Sequence, residues 1–197
     1  MLTKNQTLFA VFLLCIITRL LSSIFYIEDI DSLRFALSIY EYDITKLQPH
    51  FPGYPVFCFF AKILYLIMPS MGISFSIIGA ISTFVIIYFS LRLGNTEIKS
   101  PEGAFMSIII FFNPMIWLMG NRYMPDLMGL ALASAILYFF ICLFCIYSPM
   151  PSGGARFCIH FNTESRLPSS LGAPILYSFE YRIKAPVQPG GPDSVFI

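Results

Sequence analysis

The sequence predicts an all-α protein: a polytopic transmembrane helix bundle with an interfacial helix in the first extracytoplasmic loop and an irregular C-terminal tail. Three observations predict it. Of the 197 residues, 57% are apolar and 12% charged, against roughly 45–50% and about 25% in soluble domains, and mean hydropathy is +0.75. The apolar residues gather in runs close to the length a bilayer demands, about 20 residues at ~1.5 Å each. The acids of residues 1–148 stay outside those runs, in loops or at their ends. This composition excludes an ordinary soluble enzyme, a disordered tail and a nucleic-acid module, and the net charge of +1 offers no bulk electrostatic partner.

The first run, residues 7–27, reads as a retained transmembrane helix, because only Lys4 flanks it and no small-residue cleavage site follows. Arg19 interrupts it near the far end, where its side chain is expected to snorkel toward the interface; the sharper alternative turns it inward to an acid or a lipid phosphate. The acidic loop, residues 28–53, follows with Glu28, Asp29, Asp31, Glu41 and Asp43. Within it Leu33, Ala36, Leu37, Tyr40 and Ile44 recur at helical spacing opposite Arg34, Ser38 and Glu41, which predicts a short amphipathic helix lying on the membrane surface, with Asp31 as its N-cap. Pro49, Pro52 and Pro55 then forbid a helix through the His50–Tyr54 stretch, and Pro55 suits the first position of the next one.

Further apolar runs cover residues 56–68, 73–91, 104–119 and 127–147, the last two separated by the polar stretch from Gly120 through Arg122 to Asp126. From Pro149 the character changes: seven of the fourteen prolines and five of the twelve glycines lie in the remaining residues, with no period. The chain therefore divides into a membrane region, 1–148, and a Pro/Gly-rich tail, 149–197, read either as a flexible natural tail or as the product of a truncation. Of five cysteines, Cys142 and Cys145 spell C-x-x-C, but no other ligand accompanies them, so packing is the expectation.

There is no Gly-rich phosphate loop, nucleophile elbow or metal-ligand cluster in the sequence. What remains is carboxylates beside membrane helices. By residue type alone they are solvated loop acids or helix caps on one reading, and functional acids on the other.

The stretch from Glu28 to Ala36, just after a first membrane helix, resembles the first extracytoplasmic loop of GT-C glycosyltransferases, polytopic enzymes that include protein O-mannosyltransferases and aminoarabinose transferases. Asp31 with Phe35-Ala36 matches their acid and aromatic-Ala pair. Pro49 to Pro55 looks like their Pro-rich segment, and Arg122 to Leu130 like their second acidic loop; Ser32 stands where many relatives carry a second acid. The resemblance spans about residues 8–145 and implies transfer of a sugar from a polyprenyl-phosphate donor to an acceptor hydroxyl at the outer face of a membrane, with the chain in a bacterial inner membrane and its N-terminus cytoplasmic. It implies Asp31 as the base and Asp126 as a second catalytic acid. Arg122, or less directly Arg34, would meet the leaving phosphate, and His50 and Tyr54 would line the acceptor side. No cofactor is certain; a divalent metal between Asp31 and Asp126 stays open. The alternatives are an inactive, truncated remnant of such an enzyme and a non-enzymatic polytopic membrane protein.

If Asp31 and Asp126 serve one site, an even number of crossings must separate them. The run 56–68 is then the one that does not cross: it reaches only about 20 Å, contains Lys62, and is bracketed by Pro55 and Pro69. Arg92 and Lys99, like Lys4, then lie on the cytoplasmic side.

Overall fold

The computed structural model describes residues 3–147, which form one compact unit. It is all-helical, with no strand among the described residues: α1 (Lys4–Leu21), α2 (Ile30–Tyr40), a single 3-10 turn (Ile44–Lys46), α3 (Pro55–Ile67), α4 (Met71–Leu93), α5 (Pro101–Phe111), α6 (Pro114–Asn121) and α7 (Asp126–Tyr147). The tail 149–197, with Cys158 and His160, lies outside the described residues.

Helices α1, α4 and α7 are each long and apolar enough to cross a membrane, and α5 with α6 makes a fourth such span if the two are taken together. The chain is accordingly a membrane protein. Helix α4 is the axis: it packs against α1, α3, α5, α6 and α7, and 61% of its apolar window is buried against 11% in α1 and α7. Beside the large apolar Phe75, Ile78, Ile86, Ile87 and Leu91, its inward residues include the small Ser74, Ser76, Ala80, Ser82 and Thr83, the type that lets membrane helices approach closely. The outer faces of α1 and α7 expose Phe9, Leu13, Ile17, Ile136, Phe140 and Leu143, side chains that suit lipid and not water.

Local signals set the ends. Thr3 and Gln6 form a reciprocal capping box on α1. That helix stops at Leu21, short of the expected residue 27. The Ser22 hydroxyl folds back on the Thr18 carbonyl (2.8 Å), and the Ser23 hydroxyl on that of Arg19 (3.2 Å). Asn121 Nδ2 then holds Ser22 from α6. Pro55 opens α3, whose 13 residues reach only about 20 Å. The run 104–119, read from sequence as one helix, is broken into α5 and α6 at a 52° bend. Pro114 has no N–H to offer and disfavours helical geometry in the residue before it, while the Asn113 side chain caps Met115 N–H.

Two ends of the bundle are tied by specific contacts. Lys4 Nζ lies 2.8 Å from Glu97, so the start of α1 adjoins the α4–α5 loop. At the opposite end the Tyr123 hydroxyl donates to the Ile24 carbonyl (2.7 Å), and the Tyr123 ring stacks on Phe75 at 4.5 Å. The α1–α2 loop and the α6–α7 turn therefore share that end.

Arg19 corrects the snorkelling expectation. It is 2% exposed, and its guanidinium donates to the carbonyls of Ile116 (2.8 Å) and Trp117 (2.7 Å) and to the Thr83 hydroxyl (3.3 Å). Its Cζ sits 4.8 Å from the Trp117 ring centre. Backbone and hydroxyl oxygens, and not a carboxylate, solvate its charge. The room comes from Gly120, where a Cβ would lie 2.4 Å from Arg19 Cζ, and from Gly79, where a Cβ would lie 1.7 Å from the Gly120 carbonyl oxygen.

Candidate functional site

The acidic loop is anchored at the start of α2. Asp29, and not Asp31, is the N-cap: its carboxylate accepts Ser32 N–H at 2.7 Å. The sequence assigned the cap two residues late, because both acids precede the apolar period and only the extended backbone of Asp29 (φ −150°, ψ 175°) settles which one turns back. The bond from Ser32 N–H, aided by the charge of Arg122, holds the Asp29 carboxyl below the usual range against the opposing effect of burial.

Asp31 is freed by this arrangement. It stands in the first turn of α2, where helix amides favour a carboxylate. One of its oxygens is 3.1 Å from Arg34 Nη1 and 3.7 Å from His50 Nδ1. His50 is delivered by the Pro-rich turn, whose Gln48–Pro49 and Phe51–Pro52 peptide bonds are both cis. A ring cluster fixes its plane: Phe35 lies 5.3 Å away edge-on, Tyr54 6.0 Å away, and Phe35 meets Tyr54 at 5.6 Å. Gly53 permits the turn, at φ +90°, where a side chain would be strained and a Cβ would lie 2.7 Å from the Tyr42 hydroxyl.

Tyr54 leads on to Asp126. A cleft of about 390 Å³ opens between the start of α3 (Tyr54 to Phe57) and the start of α7 (Pro125 to Leu132), with Asp126 in its wall. The lining is otherwise apolar, and Gly129 presents open space to it. Asp31, Arg34, His50 and Tyr54 are therefore joined through successive contacts, and Tyr54 shares the cleft with Asp126. No direct contact joins Asp31 to Asp126.

Arg122 is placed elsewhere. Its Nε is 2.7 Å from Glu28 Oε2, and its Nη2 pairs with the Asp29 carboxylate. Glu28 and Asp29, not Asp126, hold it. Sequence reasoning did not find this pairing; the signal available to it was the Asp29-x-x-Ser32 spacing of an N-cap, which leaves the second oxygen of Asp29 for a cation. Among the described residues no three of His, Cys, Asp and Glu come together as a metal cluster. Cys15, Cys58 and Cys142 are free thiols.

The arrangement supplies a carboxylate beside an imidazole, two guanidinium groups, and an apolar cleft, toward the end of the bundle that the α1–α2 loop and the α6–α7 turn share. Compared with protein families, curated proteins and solved structures, the chain matches none.

Proposed function

We propose that the chain is a GT-C-like membrane glycosyltransferase, moving a sugar from a polyprenyl-phosphate donor to an acceptor hydroxyl at the outer face of a bacterial inner membrane. The observation that carries this reading is the shared end. The Arg122–Glu28–Asp29 ion pairs bring the second acidic turn beside the first acidic loop, and an apolar cleft beside them is walled by Asp126. An acceptor hydroxyl is a weak nucleophile at neutral pH and requires a proton acceptor, a need that the Asp31 cluster meets. The departing phosphate needs a cation. Arg34 is held by one carboxylate and Arg122 by two, from which a phosphate oxygen takes over a guanidinium N–H as charge develops. The apolar lining suits a polyprenyl chain. In this orientation α2 lies on the outer interface and the N-terminus is cytoplasmic.

The test is transfer itself. The full chain is reconstituted in nanodiscs with radiolabelled undecaprenyl-phosphate sugars and a lipid acceptor bearing free hydroxyls. Wild type transfers label, and Asp31→Asn and Asp126→Asn each reduce turnover. Transfer undiminished by both substitutions, or no transfer by wild type, overturns the reading.

A further inference from the structure

Asp31 already has one partner in this geometry: one of its oxygens accepts from Arg34 Nη1 at 3.1 Å. The imidazole behind it is uncommitted. His50 Nδ1 is fully buried and has no hydrogen-bond partner, yet lies 3.7 Å from the same Asp31 oxygen. A buried ring nitrogen without a bond is costly, and a side-chain adjustment of under an ångström closes the gap. The side chain as a whole is 28% exposed; with Nδ1 buried, that exposure falls on the rest of the ring, where Nε2 sits. Phe35 and Tyr54 hold the ring edge-on from two sides.

We infer that His50 is the proton-accepting group of this site and that Asp31 is its positioning residue. Asp31 accepts the Nδ1–H, which fixes the tautomer with the Nε2 lone pair outward and steadies the imidazolium once it forms. The inference rests on the transferase reading for its chemistry. The acceptor oxygen forms its bond to the anomeric carbon and gives its proton to His50 Nε2. The bond from that carbon to the phosphate oxygen breaks, and the phosphate leaves with the electron pair. The imidazolium then returns its proton to water. Among the described residues, Arg34 is the charged group paired with Asp31 besides His50.

The test separates the pair from the reaction. The full chain, labelled with 15N-histidine in nanodiscs, is read by imidazole nitrogen spectra, with His50→Gln identifying the His50 signals. Neutral His50 carries its proton on Nδ1, and Asp31→Asn shifts it toward Nε2. An Nε2–H tautomer in wild type, or no change in Asp31→Asn, overturns the pairing. In the transfer assay His50→Gln loses about 10²–10⁴-fold in turnover, Asp31→Asn loses less, and the double variant matches His50→Gln. Full loss in Asp31→Asn with activity kept in His50→Gln overturns the base assignment and leaves the transferase reading standing. No transfer by wild type overturns the transferase reading and the base role together, while the nitrogen spectra still decide the pair.

Discussion

Gly79→Ala is the sharpest test of the bundle. In an isolated helix the change is favourable by about 1 kcal/mol. Here the added Cβ would lie 1.7 Å from the Gly120 carbonyl oxygen and 2.6 Å from its carbon, where ordinary contact begins at 3.4 Å. The obstacle is backbone, so α4 and α6 must part. Overpacking of this kind costs about 1–3 kcal/mol. Helix α6 is also the partner of Arg19, through bonds of 2.7 and 2.8 Å to its carbonyls. Losing one charge-assisted bond adds about 1.5–3 kcal/mol. Packing therefore outweighs propensity, and a net loss of about 2–5 kcal/mol is expected, or roughly 4–20 °C in Tm for a domain of this size. The assay is thermal unfolding in nanodiscs followed by helical circular dichroism and by the fluorescence of Trp117, the chain's single tryptophan, which lies against Arg19. Gly129→Ala is the control: nothing stands within 4 Å of its Cβ position, so it is neutral or stabilising by up to about 1 kcal/mol. A Gly79→Ala protein as stable as wild type would refute the close approach of α4 to α6.

Arg19→Met keeps much of the side-chain volume and removes the donors; losing the two charge-assisted bonds to the α6 carbonyls costs about 1.5–3 kcal/mol each, and both the unfolding temperature and Trp117 emission should shift, whereas a snorkelling arginine would leave emission unmoved. Asp29 has a folded pKa below its unfolded value of about 3.9, so its contribution is complete above that value and is lost as pH falls through the lower folded one. Asp29→Ala should lower stability at neutral pH by about 0.5–2 kcal/mol for the cap alone and remove that acid limb, as pH-dependent unfolding would read; an unchanged acid limb would contradict the assignment. For orientation, a reporter fused after Lys99 should read cytoplasmic and one after Gly120 external; two identical readings would contradict the proposed orientation.

Much of the helical layout was legible because its signals are local. Pro55 opens a helix, Pro69 and Ser70 separate α3 from α4, and apolar length distinguishes a 13-residue helix from one of 23. The break at Asn113-Pro114 was equally local, since a capping side chain before a proline starts a new helix; the unbroken apolar run masked it. Arg19 was different. No feature of its own helix separates a guanidinium that reaches the interface from one that turns inward. What decides is the pair of glycines about 60 and 100 residues away and the backbone carbonyls of a helix that exists only because the run breaks.

The same division runs through the candidate site. Cap geometry is a short-range matter, and it consumes Asp29: one oxygen goes to the Ser32 amide and the other to Arg122. Two residues on, Asp31 has the same chemistry but none of that obligation, and its neighbours are set by Arg34 one turn along the helix and by a Pro-rich turn that returns His50 to it. Acids of one type and nearly one address thus divide into a structural member and an available one. Sequence spacing names both as candidates. The choice between them depends on where the chain between residues 41 and 54 closes, and that closure depends on the glycine at φ +90° and on rings that meet only after folding.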